Sequence, residues 1–224
     1  MIPQVARQFL RLFALDRTGI LLDPYCGTGT TLVEGFVRGF DCVGFDLNPL
    51  ARLIAKAKTT VFDLARIDFY VRDFEKFILS PPKALALPEI AGVSRLEFWF
   101  KPEVIEKLSL IKNFIERIAE PDSRLFFLTA FSETVREASN TRTHEFKLYR
   151  YDAAALEKFQ PDVFGLMTAK LQRNRKGAAE FLALVEELPL LDGHDVRLGD
   201  RGLDLGGVVD GDRVVLGAGA RDDG

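Results

Sequence analysis

The stretch that decides the fold is Asp23-Pro-Tyr-Cys-Gly-Thr-Gly-Thr30, a glycine turn between two regular segments. Before it, Gly19-Ile-Leu-Leu-Asp23 has the apolar run of a short buried strand, and after it residues 30–38 have helical spacing up to a stop at Gly39. Asp41-Cys-Val-Gly-Phe-Asp46 again predicts a strand that ends in an acid. This strand, turn, helix and strand form a βαβ unit, so we expect a parallel sheet.

The rest of the chain divides into a helical middle and a glycine-rich end. The segments with helical spacing are residues 3–15, 49–58, 63–79, 102–119 and 162–187. The short apolar run at 124–130 fits either a buried strand or a helix, and residues 145–150 alternate like a strand. Two further strands are predicted at 195–198 and 212–216, and the tail after Leu216 is expected to be disordered.

The composition is that of a globular protein. With 47% hydrophobic residues, 28% charged residues and a net charge of −3, the chain is neither disordered nor uniformly basic. No apolar run approaches the roughly 20 residues that a membrane helix needs. Cys26 and Cys42 have no metal-ligand spacing, so we expect no disulfide framework and no metal site. A cytoplasmic location follows as the expectation, while nothing in the sequence decides the oligomeric state.

The chemistry of the glycine turn indicates a cationic ligand. Leu32 stands where a dinucleotide-binding loop has its third glycine, and Asp23 would repel a pyrophosphate but suit an ammonium group. Gly27 and Gly29 allow a close backbone approach, and Asp46, nineteen residues after Gly27, could accept from both ribose hydroxyls. These residues predict a nucleoside with a positively charged tail, such as S-adenosylmethionine. The alternative is a glycine turn in an unrelated nucleotide-binding sheet.

Two segments resemble a known family. DPYCGTGTTLVEG at 23–35 and GFDLNPLARLIAKAKT at 44–59 are similar to the amino-methylating DNA methyltransferases, which modify adenine N6 or cytosine N4 with S-adenosylmethionine. The likeness covers residues 1–60 and implies an α/β, Rossmann-like methyltransferase sheet, here incomplete and with a largely helical insertion. The domains expected are a cofactor-binding half at 1–60, the insertion at 61–189, and a return to the sheet at 190–224.

The resemblance also implies which residues bind the cofactor. Ile2-Pro3-Gln resembles the end of a motif that touches the methionine part, and Val196-Arg-Leu-Gly-Asp200 resembles a strand whose acid accepts from the adenine amino group. The implied set is Pro3, Asp23, Pro24, Tyr25, Gly27, Gly29, Thr30, Asp46, Asn48 and Asp200.

The catalytic motif of this family departs from its expected place. In the family, Asp, Asn or Ser followed by Pro-Pro and an aromatic ends the fourth strand and holds the amino group of a flipped base. Here Asp212-Arg-Val-Val-Leu216 would be that strand, but Gly217-Ala-Gly-Ala220 follows it. We therefore expect a truncated or frame-shifted relative that does not itself methylate DNA.

One other segment has part of the motif. Ser80-Pro81-Pro82 carries its first three letters, with Lys83 in place of the aromatic residue. These three residues are the catalytic candidates, and the alternative interpretation is a helix stop after residues 63–79.

A basic stretch is the candidate for DNA contact. Residues 136–176 hold nine Lys or Arg and five Asp or Glu, a net of +4, which leaves −7 for the rest of the chain. Arg142, Lys147 and Arg150 could touch phosphates, or they could be solvated charges without a partner. Two other functions remain open: an RNA guanine-N2 methyltransferase, and a truncated, non-catalytic protein that binds cofactor or nucleic acid.

Overall fold

The computed structural model describes residues 2–13, 20–82, 95–142, 147–187 and 213–216, the last of these as backbone only. The chain divides into two compact units, one of Met1–Phe62 with Ala178–Gly224 and the other of Asp63–Gly177. The described helices are α1 (Pro3–Phe13), α2 (Thr30–Phe36), α3 (Pro49–Thr59), α4 (Leu64–Leu79), α5 (Leu96–Trp99), α6 (Pro102–Glu116), α7 (Pro121–Ala138), α8 (Ala153–Lys158) and α9 (Val163–Glu186). The described strands are β1 (Ile20–Asp23), β2 (Asp41–Phe45) and β3 (Arg213–Leu216).

The predicted βαβ unit is confirmed in the first unit. Strands β1 and β2 run parallel, with Ile20 opposite Asp41 and Asp23 opposite Gly44. Helix α2 connects them, and the chain turns into β2 through Gly39, whose φ of 82° is in the left-handed region that favours glycine. The carboxyl ends of both strands therefore lie at one edge of the sheet, where parallel sheets bind ligands.

The core cluster around the sheet of the first unit combines small side chains with Leu32 and Phe40. Leu32, Cys42 and Ala55 are fully buried and pack with Cys26 and Phe40, and Leu21 of β1 packs against this cluster. Because side chains alternate along a strand, Ile20 and Leu22 point to the other face of the sheet, and they are 69% and 58% exposed.

Strand β3 corrects one expectation. A strand forms within 212–216 as predicted, but it runs antiparallel beside β2, with Cys42 opposite Leu216 and Phe45 opposite Arg213. The fourth strand of a doubly wound sheet would run parallel beside the first strand instead. The open edge of β2 can accept a strand in either direction, and an antiparallel pair needs no helical crossover.

The second unit is helical and has an aromatic core. Its buried residues include Ile67, Phe74, Ile111, Ile115, Ile118, Phe127, Met167 and Leu171. The ring centroid of Phe74 lies 5.2 Å from that of Phe114 and 6.1 Å from that of Phe127. The predicted helices at 63–79, 102–119 and 162–187 are confirmed by α4, α6 and α9, with ends within a few residues.

The structure decides the interpretations left open in this unit. The run at 124–130 is helical, because Pro121 begins α7 and the Glu120 carboxylate accepts from the backbone N–H groups of Asp122 and Ser123. The strand predicted at 145–150 is wrong for the described residues 147–150, where one antiparallel bridge joins Thr141 and Arg150. The Tyr149 N–H donates to the nearby Lys147 carbonyl, which closes a turn instead of extending a ladder. The predicted strand at 195–198 and the tail after Leu216 lie outside the described residues.

Candidate functional site

The glycine turn is tied to the end of β2 by one carboxylate. The Gly27 N–H donates to Asp46 Oδ2 over 2.9 Å, and the Asn48 N–H donates to Asp46 Oδ1 over 2.8 Å. Next to these bonds, the Cys26 N–H donates to the Phe45 carbonyl over 2.9 Å. The structure thus brings two of the predicted cofactor residues, Gly27 and Asp46, into direct contact.

The two glycines of the turn have different structural requirements. Gly27 has φ +52°, and a Cβ built on it would meet nothing within 4 Å, so open space lies beside this part of the loop. Gly29 has φ +77°, and a Cβ there would lie 2.9 Å from Cβ of Ala55 on α3. The left-handed backbone favours glycine at both positions, and close packing against α3 adds a second requirement at Gly29.

Two acids place negative charge around this loop. The Asp23 carboxylate accepts from the Tyr25 N–H over 3.1 Å, which holds it at the end of β1. The pKa of the Cys26 thiol is raised, first by its burial and then by the charges of Asp23 and Asp46. The neighbouring Pro24 is exposed and the Tyr25 ring is 87% exposed, so the mouth of the loop is open. Such a loop favours a cationic ligand group.

Asn48 has a structural role that its sequence motif did not reveal. Its Oδ1 accepts from the Leu50 N–H over 2.9 Å and caps α3, and Pro49 occupies the first helical position. The Asn-Pro pair therefore starts α3 two residues after Asp46, the residue that holds the glycine turn.

The other predicted cofactor residues are placed as follows. Thr30 is the first residue of α2, next to the turn, and Pro3 is the exposed first residue of α1. Asp200 lies outside the described residues.

Three basic side chains and an acid of the first unit were missed by the sequence analysis, and two of the basic ones lie at the loop. Arg52 Nη1 donates to the Asp46 carbonyl over 2.8 Å, and Lys58 Nζ donates to Thr28 Oγ1 over 3.3 Å. The buried acid is Glu34 on α2, whose Oε1 accepts from Arg7 Nη2 over 2.9 Å.

Glu34 fixes α1 to α2. Its Oε2 accepts from Arg7 Nε over 3.2 Å and from Arg38 Nη1 over 2.7 Å. Burial disfavours the Glu34 anion, yet the hydrogen bonds and charges of Arg7 and Arg38 outweigh burial and lower the pKa of Glu34. A lone acid on the inward face of a predicted helix, four residues before an arginine, is the signal that could have identified this residue.

The catalytic candidates Ser80, Pro81 and Pro82 belong to the second unit. Helix α4 ends at Leu79 and Ser80 is its C-cap, so these residues follow a helix and not a strand. All three are exposed. This geometry is what the helix-stop interpretation predicts, and a catalytic role for them stays a prediction.

The three basic candidates for nucleic-acid contact lie close together on the second unit. The Arg142 N–H donates to the Tyr149 carbonyl over 2.8 Å, which brings the two ends of this segment side by side, and Lys147 lies in the same turn. Arg150 donates from Nε to the Phe98 carbonyl over 3.0 Å, and its guanidinium lies 4.6 Å from the Phe98 ring centroid. Arg142, Lys147 and Arg150 are all exposed.

Other basic residues of the same stretch are neutralised within the unit. Lys170 pairs with Glu137, and Arg173 pairs with Glu133 over 2.7 Å. Arg175 makes two hydrogen bonds of 3.0 Å to Asp68, which lower the pKa of that carboxyl. The net charge of +4 therefore overstates how many cations this stretch offers to a partner.

Over the parts of the chain that the structure describes, no three His, Cys, Asp or Glu side chains are grouped as a metal site would require. In the same described ranges, no helix is long and apolar enough to cross a membrane.

Comparisons with known proteins cover most of the chain. A family model described as UPF0020, the RMKL-like methyltransferase domain, matches residues 1–80. The type II methyltransferase M.MvaI of Kocuria varians is 40% identical over 195 residues, which cover 84% of this chain and 43% of that protein. The type II methyltransferase M.MjaII of Methanocaldococcus jannaschii is 35% identical over 66 residues, 30% of this chain and 12% of that protein. No solved structure gives a significant match.

The glycine turn, the βαβ unit and the matching family model together define the class, and the chain contains a methyltransferase domain. Most of the chain is similar to the Kocuria protein, and two type II methyltransferases are among its relatives. The chain spans less than half the length of the curated relatives it matches.

Proposed function

We propose that this domain serves the transfer of a methyl group from S-adenosylmethionine to an exocyclic amine of adenine or cytosine in DNA. The observation that carries the proposal is the Asp46 carboxylate, which holds the glycine turn through Gly27 and the start of α3 through Asn48. Likeness to two type II methyltransferases supports the substrate class. The incomplete Rossmann-like sheet, the helical insertion and a cytoplasmic location belong to the same proposal.

The residues of the loop suit this cofactor. Each Asp46 oxygen uses one lone pair on a backbone N–H and keeps another, so the carboxylate can also accept from the two ribose hydroxyls. Asp23 offers a negative charge to the ammonium group, and the open space at Gly27 admits the ligand beside the backbone. When bound, S-adenosylmethionine supplies the methyl group, activated by its sulfonium.

The remaining cofactor candidates have supporting roles in the proposal. Tyr25 and Pro24 border the open mouth of the loop, and Thr30 and Gly29 continue it into α2. The Asn48 amide nitrogen is the donor left to a ligand, because its oxygen caps α3. Pro3 at the start of α1 and Asp200 complete the expected set.

The chemical step needs positioning more than acid or base. An exocyclic amine attacks the methyl group when its lone pair is in line with the sulfonium, and misplacement by about 1 Å can cost on the order of 100-fold in rate. The amine must therefore be held in line with the sulfonium, and Ser80, Pro81 and Pro82 are the candidates for holding it.

A second candidate function is cofactor and nucleic-acid binding without catalysis. It is favoured by Lys83, which stands where the family has an aromatic residue after Pro-Pro and cannot stack on a base in the same way. Incorporation of labelled methyl groups into genomic DNA, above the level given by Asp23→Ala, would decide for methyl transfer over this alternative.

The cofactor site is tested by calorimetric titration with S-adenosylhomocysteine and with an analogue that lacks both ribose hydroxyls. Wild type should bind the complete ligand roughly 10- to 100-fold more tightly, because a charge-assisted hydrogen-bond pair contributes about 1.5–3 kcal/mol. Asp46→Asn should lose most of this discrimination. The matched control is Asp152→Asn, whose carboxylate likewise accepts from a backbone N–H, but at α8. Equal discrimination in wild type and Asp46→Asn would remove Asp46 from the ribose role.

DNA contact is tested by changing Arg142, Lys147 and Arg150 together to glutamine. If each neutralises one phosphate, the triple variant should bind DNA more weakly and the slope of log K against log salt should fall by about 2–3. Arg66, Arg72 and Lys112 of the same unit, changed together to glutamine, give a control with the same loss of charge. An unchanged slope in the first variant, or an equal change in the control, would contradict a specific role for these three residues.

A further inference from the structure

An exposed aromatic ring and a guanidinium group lie against each other on the second unit. Phe98 of α5 is 42% exposed, and the guanidinium of Arg150 lies 4.6 Å from the centroid of its ring. We name these two side chains together the stacking platform. Aromatic rings and the planar guanidinium of arginine are the two kinds of protein group on which nucleobases stack.

Hydrogen bonds hold the stacking platform at a fixed place. The Phe98 carbonyl accepts from Arg150 Nε over 3.0 Å and from Asn140 Nδ2 over 3.2 Å. The Asn140 N–H donates to the carbonyl of the next residue, Trp99, over 2.7 Å, and Asn140 itself is only 2% exposed. A buried amide thus ties α5 to the basic segment. Because the exposed ring is already fixed, a ligand that stacks on it pays little to order it.

Exposed cations and apolar side chains are mixed beside the platform. Lys147, Leu148, Tyr149 and Arg150 follow one another in the chain and are all exposed. The Arg142 N–H donates to the Tyr149 carbonyl over 2.8 Å, which adds another exposed cation to the group. Binding sites for unpaired strands combine cations that follow the phosphates with rings that stack on bases. In a paired duplex the neighbouring bases cover each other, so an exposed ring among phosphate contacts favours an unpaired base.

We propose that the stacking platform of Phe98 and Arg150 binds an unpaired base of a nucleic acid, while Arg142 and Lys147 contact the neighbouring phosphates. The base comes from a single strand or from a nucleotide displaced out of a duplex, and the stacking chemistry is the same for both. The inference rests on the DNA contact proposed above and adds the form of nucleic acid that this surface takes. It requires neither cofactor nor methyl transfer.

The test is binding of one labelled DNA sequence in three forms: a single strand, a paired duplex, and the duplex with one unpaired base. Phe98→Ala should bind the forms that have an unpaired base roughly 10- to 100-fold more weakly than wild type, and Phe98→Tyr should restore the affinity. Because stacking neutralises no phosphate, Phe98→Ala should keep the wild-type slope of log K against log salt. Tighter binding of the single strand or of the duplex with the unpaired base tells which source the surface takes.

Phe69→Ala is the matched control. Phe69 of α4 belongs to the same unit and is 58% exposed. Its ring meets that of Tyr70 edge-on at 5.3 Å, much as the Phe98 ring meets that of Trp99 at 4.9 Å. The control therefore removes an exposed ring with a similar aromatic neighbour, and it should bind all three forms as wild type does.

Trp99 gives an independent measurement on the unaltered protein. It is the only tryptophan of the 224-residue chain, and its ring contacts that of Phe98, so a base stacked on the platform should change its fluorescence. Unchanged fluorescence at saturation, equal binding by wild type and Phe98→Ala, or an equal loss in Phe69→Ala would overturn the proposal and leave the phosphate contacts standing. Tightest binding of the paired duplex would overturn it too. Absence of binding to all three forms would remove the DNA contact as well.

Discussion

The two units of this protein differ in the side chains at the centres of their cores. In the helical unit, Phe74 and Phe127 are fully buried and surrounded by other aromatic rings. In the sheet unit, the core consists mostly of Cys, Ala and Leu, and large side chains such as Phe13 and Ile20 are more than two-thirds exposed. The helical unit is thus held by packing, whereas the sheet unit relies more on hydrogen bonds and close backbone contacts at a few positions.

The proposed cofactor site accounts for this difference. A site that admits a ligand next to its backbone needs small residues, as at Gly29 against Ala55, and small residues bury little area. The sheet unit replaces part of that missing packing with two carboxylates, Asp46 at the loop and Glu34 between α1 and α2. Three pairs of substitutions test this contrast.

The largest effect is expected at the centre of the helical core. Phe127→Ala should lower the free energy of unfolding by about 3–5 kcal/mol, because Phe127 is fully buried among Phe74, Phe114 and Phe126. Phe13→Ala in the sheet unit removes the same ring from a side chain that is 73% exposed, so it should change stability by less than about 0.5 kcal/mol. Urea unfolding followed by circular dichroism measures both, and equal losses would erase the contrast.

An intermediate effect is expected from the buried acid. Glu34→Gln keeps the shape of the side chain but removes two charge-assisted interactions, and it should cost about 2 kcal/mol. Glu116→Gln is the control, because Glu116 pairs with Lys112 on an exposed helix face and should contribute about 0.5 kcal/mol or less. Comparable losses in the two variants would show that Glu34 does not fix α1 to α2.

The same variant predicts a pH dependence. The pKa of Glu34 is lowered in the folded protein from its ordinary value of 4.5. Folding is therefore favoured by this group above that value, and the contribution is lost as the pH falls through the lowered pKa. The stability difference between wild type and Glu34→Gln should be largest near neutral pH and should shrink in acid. A difference that stays constant down to acid unfolding would contradict this assignment.

The smallest expected effect is a difference in stability between two glycine variants. It distinguishes the cost of a left-handed backbone from the cost of a close contact. Gly29→Ala and Gly39→Ala both place alanine at a positive φ, 77° and 82°, but the new Cβ meets Ala55 at position 29 and open space at position 39. Gly29→Ala should therefore be the more destabilising by about 1–2 kcal/mol. The pair is compared by thermal unfolding, and equal destabilisation would mean that the loop can move away from α3 without cost.

The sequence analysis predicted local structure well wherever one short segment contained all the residues that determine it. The βαβ unit followed from glycines that mark the turns and from acids that end the strands, and α2 and α3 lie close to their predicted places. Strand direction is a property of pairing between distant segments, so the antiparallel position of β3 could not be read from Asp212-Arg-Val-Val-Leu216. The run at 124–130 was ambiguous because its helical signals, Glu120 and Pro121, lie outside it.

The candidate site was predicted in part for similar reasons. The pairing of Gly27 with Asp46 could be anticipated from their spacing, because parallel strands bring their carboxyl ends together. The ion pair of Arg7 with Glu34 joins side chains 27 residues apart, and nothing in either local sequence specifies the partner. The pairing of Arg175 with Asp68, 107 residues away, likewise depends on tertiary structure.

The hydrogen bonds of the Asp46 carboxylate to Gly27 and Asn48 also limit where residues can be inserted or deleted. One carboxylate receives the backbone amides of Gly27 and Asn48, so the path between them must return the chain to the same place. One residue added within α2 would rotate everything beyond it by about 100° and turn its buried side off the sheet. Residues added at the turn around Gly39, which has open space beside it, would lengthen a surface loop and leave the Asp46 hydrogen bonds to Gly27 and Asn48 intact. Homologous chains should therefore vary in length at this turn and keep the length of α2.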